Sequence, residues 1–303
     1  MSVLIAGSVA IDEIETPETS HKNLLGGSAS YASLAAAFYG PANLVAIVGE
    51  DFPQEYFDLF KAKGVDLSGV EIKPGGKTFR WSGKYLDDMN TRETLDVQLN
   101  VLTEFRPNLS EAYRKARIAL LANMGPAEQL AVLDQLDAPL LTIADSMDLW
   151  INIAREDLLK LLARIDLFVI NDSEAKLFME TGNLITAGHK LLALGPKYVV
   201  IKKGEHGALL FGKDGQFFTS GAFPLHGVHD PTGAGDTFAG AMAGFLNSLG
   251  AGEISFRDLG RAVVHGSVIA SFNCEGFSIS RLKELTKADI DARFEELRGY
   301  TAF

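Results

Sequence analysis

The stretch His229-Asp230-Pro231-Thr232-Gly233-Ala234-Gly235-Asp236-Thr237-Phe238-Ala239-Gly240 is a turn of small residues that opens directly into an apolar helical run. Phe238, Met242, Phe245, Leu246 and Leu249 recur at spacings of three and four, so one face of that helix is buried. Gly233 and Gly235 flank Ala234, which lets the turn take positive φ and bring its backbone close to a ligand. The free N–H groups of a helix start, with the positive end of the helix dipole behind them, favour an anion there, most simply a phosphate. Asp236 repels such an anion unless it has a task. Taking a proton from an attacking hydroxyl is one.

Read alone, Gly-Ala-Gly-Asp is equally a plain glycine-rich helix start with a first-turn acid. Two rival phosphate motifs fail. A dinucleotide-binding G-x-G-x-x-G needs Gly where Phe238 stands, and no strand–helix–strand unit follows. Gly76-Lys77-Thr78 comes nearest to a P-loop, but Glu71 occupies the place of that motif's first Gly.

Around this stretch lies a chain of 303 residues, enough for one large α/β domain or two ordinary ones. Its 47% hydrophobic and 22% charged residues are those of a globular protein. A net charge of -11 without any basic block argues against nucleic acid as a partner. Cys274 is the single cysteine, which excludes an intrachain disulfide and a cysteine-based zinc cluster and suits a reducing compartment. The N-terminal Val3–Ala10 run lacks a basic flank and leads to Asp12 rather than a cleavage site, so it reads as a strand. No run reaches the ~18 apolar residues of a membrane span. A cytoplasmic protein with no membrane partner is expected.

Apolar strands are expected at 3–10, 44–48, 118–122, 140–144, 167–170 and 198–202, interleaved with helices at 28–39, 53–63, 126–135, 153–164, 173–181 and 187–194. Such alternation implies a parallel sheet covered on both faces. The runs 208–211 and 216–218 read as antiparallel edge strands, and the last third is helical, including 259–272 and 287–297. Between about 71 and 101 the period changes to two: Phe79, Trp81 and Tyr85 alternate with polar residues, as do Leu95, Val97, Leu99 and Val101. This reads as a small β element with one apolar face, which must cover something or pair with a second copy.

The 229–240 string resembles, almost residue for residue, the C-terminal signature of the PfkB family of carbohydrate kinases, the ribokinase-like kinases. An Asp after the first strand (Asp12), a Gly pair entering the first helix (Gly26-Gly27), an Asn-x-x-Glu in mid-chain (Asn171, Glu174) and a Gly-x-x-Gly turn (Gly204, Gly207) follow in the family's order. The resemblance implies an α/β, ribokinase-like three-layer sandwich with a mostly parallel central sheet. It would be a single domain over 1–303, with a small β lid from about 12–20 and 71–105. It implies transfer of the γ-phosphoryl of ATP to a hydroxyl of a small, sugar-like acceptor, with Asp236 as base. The amides of Gly233, Ala234, Gly235 and Asp236 would hold the transferring group. Asn171 and Glu174 would help hold Mg²⁺, although as residues they also form a ready helix cap. Lys203, Gly204, Gly207, Thr232, Asn273 and Gly276 would border ATP. Asp230 matches either a site for a monovalent cation such as K⁺ or a brace for the turn.

On the acceptor side the resemblance places Asp12, Gly26 and Gly27 against substrate hydroxyls, with Arg80 and Trp81 closing from the lid. One departure stands out: the family's usual Asn shortly after the Gly pair is replaced here by Tyr31. A phenol in place of an amide weakens ribose or hexose as the acceptor and leaves a nucleoside or cyclitol open, since a phenol ring can stack. A non-catalytic ligand-binding sensor is the reading from another class, and the intact Asp236 and Glu174 speak against it. A homodimer through the lid's apolar face is expected.

Overall fold

The structure is a computed structural model and describes residues 2–301. Thirteen strands occur among the described residues: β1 (Val3–Ala6), β2 (Ala10–Glu15), β3 (Ser20–Gly26), β4 (Ala42–Gly49), β5 (Val65–Lys73), β6 (Phe79–Tyr85), β7 (Arg92–Gln98), β8 (Ile118–Leu121), β9 (Leu141–Asp145), β10 (Leu167–Asn171), β11 (Tyr198–Lys202), β12 (Ala208–Gly212) and β13 (Phe217–Ser220). Nine of them form the central sheet in the order β13-β12-β11-β10-β9-β8-β1-β4-β5. From β11 to β5 every neighbouring pair is parallel, while β12 and β13 close one edge antiparallel. Strands such as β1, β4 and β8 are buried at every residue, which is why they read as unbroken apolar runs.

Helices cover both faces. One apolar core joins the sheet to the helices Ser28–Ala36, Ala234–Ser248 and Phe256–Asn273, and the other joins it to Arg155–Leu162, Asp172–Met179 and Leu184–Ala193. The expected three-layer α/β sandwich is thus the fold. Close approach of two helices fixes the site. A Cβ on Gly240 would lie 2.2 Å from the Ala32 carbonyl oxygen, and one on Gly244 would lie 2.6 Å from that of Ala36. The Ser28–Ala36 and Ala234–Ser248 helices therefore touch backbone to backbone. Their N-terminal ends, Gly27 and Gly233, are held in fixed relation. In the same layer His265 lies between Phe245 and Phe294 at ring distances of 4.1 and 4.5 Å, with Nδ1 2.9 Å from the Tyr39 hydroxyl. Burial pushes its pKa down to about 4. It is a packing residue.

The second sheet is small, in the order β3-β2-β6-β7. It is rooted through Thr78, fully buried, whose amide and hydroxyl both donate to Asp51 Oδ1 at 2.7 Å. Its boundaries differ from expectation. Residues 65–73 form the edge of the central sheet, and their half-polar pattern is that of a strand with one open side. β3, beyond the expected 12–20 segment, completes the small sheet. The alternation Leu95, Val97, Leu99 and Val101 also breaks. The first three are 53%, 47% and 43% exposed, but Asn100, at φ 47°, ends the run and a 3-10 turn carries Val101 into the core.

Candidate active site

Three neighbouring parallel strands end in polar residues at their carboxyl ends: Asp145 on β9, Asn171 on β10 and Lys202 on β11. That is where open α/β sheets bind ligands. The Ala234–Ser248 helix points its first turn at the same place. Its N-cap, Gly233, is left-handed at φ 74°, and a Cβ there would lie 2.4 Å from the Tyr31 ring, so glycine is required twice over. The amides of Gly233 and Gly235 have no hydrogen-bond acceptor among the described residues. The Ala234 amide, by contrast, already donates to the Pro231 carbonyl at 3.1 Å, so it is removed from the expected anion hole. Unspent amides at a helix start fit a phosphoryl group.

Asp236, in that first turn, is half-buried by surface exposure but surrounded by protein atoms. Desolvation, aided by the nearby Asp145 charge and opposed by Lys202 and Arg92, pushes its pKa up to about 7. A carboxylate poised there can accept a proton near neutrality. Lys202 answers its charge. Its side chain is 16% exposed and its Nζ lies 3.4 Å from Asp145 Oδ2. Burial alone would lower its pKa, but Asp145, Glu174 and Asp236 together hold it above the ordinary value.

Asn171 and Glu174 form a complete capping box. Asn171 Oδ1 accepts from the Glu174 amide at 2.8 Å, and Glu174 Oε2 accepts from the Asn171 amide at 3.0 Å. Desolvation, against the pull of Lys202, raises the Glu174 carboxyl to about 7. One Glu174 oxygen stays outside the cap. Among the described residues no group of three or more His, Cys, Asp or Glu could enclose a metal. This donor set fits a Mg²⁺ ion that keeps its waters and is shared with nucleotide phosphates.

Asp230 is fully buried, with Oδ1 accepting from the Thr232 amide and Oδ2 from the Ser278 amide, both at 2.9 Å. Of its two expected roles, the brace is built. Thr232 is spent on structure too: its carbonyl accepts from Asn273 Nδ2 at 2.8 Å and its hydroxyl donates to the Tyr85 hydroxyl at 3.0 Å. Asn273 is completely buried, so it works through Thr232 instead of bordering a nucleotide. Gly204 and Gly207, at φ 54° and 80°, shape the β11–β12 turn, and Gly276 packs against Ser280 and Arg281. From this segment the side chain paired with Asp145 is Lys202, the last residue of β11, while the expected Lys203 lies just past the strand at the start of the turn.

On the acceptor side Asp12 is 4% exposed, and its Oδ1 has no partner. A Cβ on Gly26 would sit 2.0 Å from that carboxyl group, so the carboxylate rests directly on the glycine backbone. Burial, then repulsion by Asp230 and Asp236, drives the Asp12 pKa well up. Gly27 is the left-handed N-cap of the Ser28–Ala36 helix. Tyr31 is 1% exposed, with its ring covered by Gly233, so it supports the Gly233 turn and offers no face for stacking. Trp81 pairs with Asp12 across β2 and β6, so indole and carboxylate share a face of the small sheet, and Arg92 lies 5.3 Å over the indole. Arg80 is held at the root of the small sheet by Asn23 and Asp51, at 3.3 and 3.8 Å. Sequence reasoning missed Asp145, Lys202, Tyr85 and Arg92. For the first two a signal existed: each is a charged residue ending an apolar strand.

A buried carboxyl group beside unspent helix-start amides, with a second buried carboxyl group on the small sheet within its electrostatic reach, suits phosphoryl transfer to a hydroxyl. Fold and site together define a small-molecule kinase. The chain belongs to the pfkB family of carbohydrate kinases, whose profile matches residues 5–281. It is an ATP-dependent kinase, and ATP and Mg²⁺ are the cofactors expected for the family. It is 30% identical to the cytidine kinase of Thermococcus kodakarensis over 251 residues, 81% of this chain and 88% of the relative. It is 25% identical to the 2-dehydro-3-deoxygluconokinase of Thermoproteus tenax over 72% of this chain and 71% of that one. The nucleoside kinase of Burkholderia thailandensis, solved with inosine, shares the fold at TM-score 0.79 and 22% identity, covering 98% of this chain and 97% of that one. No helix among the described residues is long and apolar enough to cross a membrane.

Proposed function

We propose that the protein phosphorylates a nucleoside on a ribose hydroxyl. The carrying observation is Asp12, a buried carboxylate with an unpartnered oxygen, resting on Gly26 in the same cleft as the base. A carboxyl group so placed turns both its oxygens to two neighbouring hydroxyls, as a ribose diol offers, and the diol's donors would favour its ionised form against the burial that raises its pKa. Kinship with a cytidine kinase supports a base attached to that ribose. In the step itself, the acceptor hydroxyl gives its proton to Asp236 as its oxygen bonds the γ-phosphorus. The bond to the β–γ bridging oxygen breaks, and its electron pair leaves on ADP. Gly233 and Gly235 amides hold the transferring group in line, and the small sheet excludes water. Mg²⁺, beside Asn171 and Glu174, would neutralise phosphate charge.

A second reading has its own observation. Arg92 draws the Asp12 and Asp236 pKa values down from the lid, so a cation faces the acceptor space, and a sugar acid would pair with it. ADP release from Mg-ATP against nucleosides, sugars and sugar acids separates the two. Nucleoside-dependent turnover is expected, reduced about a thousandfold by Asp236→Asn. Turnover of sugar acids alone would select the second reading, and turnover indifferent to Asp236→Asn would remove the base. kcat/KM should rise with pH through about 7, as Asp236 loses its proton.

Two further parts belong to this proposal. K⁺ is taken as an activator, supported by the buried charge of Asp230, whose partners are only amides, and by the unpartnered Asn273 Oδ1 nearby. Replacing K⁺ by tetramethylammonium should then lower activity. The exposed Leu95, Val97 and Leu99 support pairing of two copies through the lid, and a monomer by light scattering at high concentration would exclude it.

A further inference from the structure

Gly235 provides one of the two unspent amides of the anion hole, yet a side chain already lies against it. Lys202 Nζ is 2.8 Å from the point where a Cβ on Gly235 would stand. Its one ion-pair partner, Asp145 Oδ2, is distant at 3.4 Å, longer than the 2.7–2.9 Å of a good charge-assisted bond. Asp145 itself is fixed, since its Oδ1 accepts from the Ser146 amide at 2.9 Å and its side chain is only 6% exposed. The ammonium thus hangs between three carboxylates, Asp145, Glu174 and Asp236, and is tightly bound to none of them. Its three donors are almost entirely unspent.

We infer that Lys202 is a catalytic residue that grips the γ-phosphoryl group, moving its donors from Asp145 to the phosphoryl oxygens when nucleotide binds. This rests on the phosphoryl-transfer reading above. Such a cation adds to the neutralisation by Mg²⁺ on the side of the cleft that Asp145 and Asp236 occupy. A triphosphate terminus placed over Gly235 would meet Asp236, Glu174 and Asp145, and in a poorly solvated cleft like charges at a few ångström repel by several kcal/mol. Among the described residues Lys202 is the one cation set against all three. Its position beside the Gly235 amide puts ammonium and amide on the same oxygens, where charge is stabilised during transfer. It keeps its proton throughout. Asp145 is then a positioning residue, holding the ammonium over the turn while the site is empty.

The test compares nucleotides that differ only in the γ-phosphoryl. Binding of Mg-ATP and Mg-ADP by calorimetry, measured for the wild type, Lys202→Met and Lys202→Arg, reads the contact without turnover. Lys202→Met should weaken Mg-ATP at least tenfold more than Mg-ADP, and Lys202→Arg should restore part of the difference. With the acceptor identified, Lys202→Met should lower kcat about 100-fold and leave the acceptor KM within about threefold. If the single variant fails to fold around its stranded carboxylates, Asp145→Asn/Lys202→Met removes the charge imbalance and should show the same loss of ATP preference. Equal weakening of both nucleotides, or no weakening, overturns the inference. A wild type that binds ATP but phosphorylates nothing would overturn the proposed function, while the binding comparison still decides the role of Lys202.

Discussion

The two sheets of this kinase are built to opposite specifications. The central sheet buries β1, β4 and β8 completely and carries Asp145, Asn171 and Lys202 on its strand ends. In the small sheet, β7 is exposed at every residue. The small sheet is divided in itself: β2 and the end of β3 are buried, with Ile11 and Leu25 in the main core, while the β6–β7 half is tied to the body through Thr78 on Asp51, Arg80 on Asp51 and Tyr85 on Thr232. The difference teaches where precision and where mobility reside. On the proposed function, the groups that stabilise developing charge stand on the buried sheet, which is expected to open last, and the acceptor enters past the strand with least buried area.

Four experiments test that contrast, from the largest effect downward. Amide hydrogen exchange in β6 and β7 should be faster than in β8–β11 by on the order of a thousandfold, since one sheet opens locally and the other only globally. Equal protection would break the comparison. Gly26→Ala places a methyl inside the Asp12 carboxyl group and should cut kcat/KM for the acceptor by about 100-fold with Mg-ATP affinity unchanged. A matching loss in both would show that the acceptor grip is not separable from the framework.

The third concerns the framework alone. His265 has a folded pKa of about 4 against an unfolded value of about 6.5, so between those values the unfolded chain binds the extra proton. Its contribution is intact above pH 6.5 and declines as pH falls towards 4, by roughly 2 kcal/mol at pH 5. Asp236 and Glu174, with raised pKa values, act in the opposite sense, so the quantity to measure is the wild-type stability change from pH 7 to 5 minus that of His265→Gln. No difference between the two would place the His265 ring in solvent. Last, Tyr85→Phe removes one hydrogen bond worth about 1 kcal/mol between lid and catalytic turn. It should lower kcat less than tenfold and raise acceptor-independent ATP hydrolysis a few-fold. Unchanged hydrolysis would mean that Tyr85 does not help to close the site.

How much of this was legible depended on distance along the chain. Asp236 and Gly233 stood out because a glycine-bounded turn running into an apolar helix is a local signal. The capping-box use of Asn171 and Glu174 was legible for the same reason. The bond from Thr232 to Tyr85 joins residues 147 apart, and no spacing announces it. Its place after the Gly pair makes Tyr31 an expected acceptor contact, but its ring lies under Gly233 because the two helix starts are locked together by Gly240 and Gly244, a tertiary fact. Lys202 and Asp145 read as mere strand ends; only the parallel order β9-β10-β11 brings them to one edge of the cleft. Asn273 was expected at the nucleotide, and the return of the late helix to the Thr232 carbonyl buried it instead.

Thr232 links three neighbours at once: its amide to Asp230, its carbonyl to Asn273 and its hydroxyl to Tyr85. Lifting the small sheet breaks the third link and loosens the residue immediately before Gly233. On the proposed function this makes Thr232 an interlock: an enzyme open to water would also be one whose phosphoryl cradle is slack, and ATP arriving without its acceptor would meet a site not yet armed, which the hydrolysis measurement on Tyr85→Phe decides.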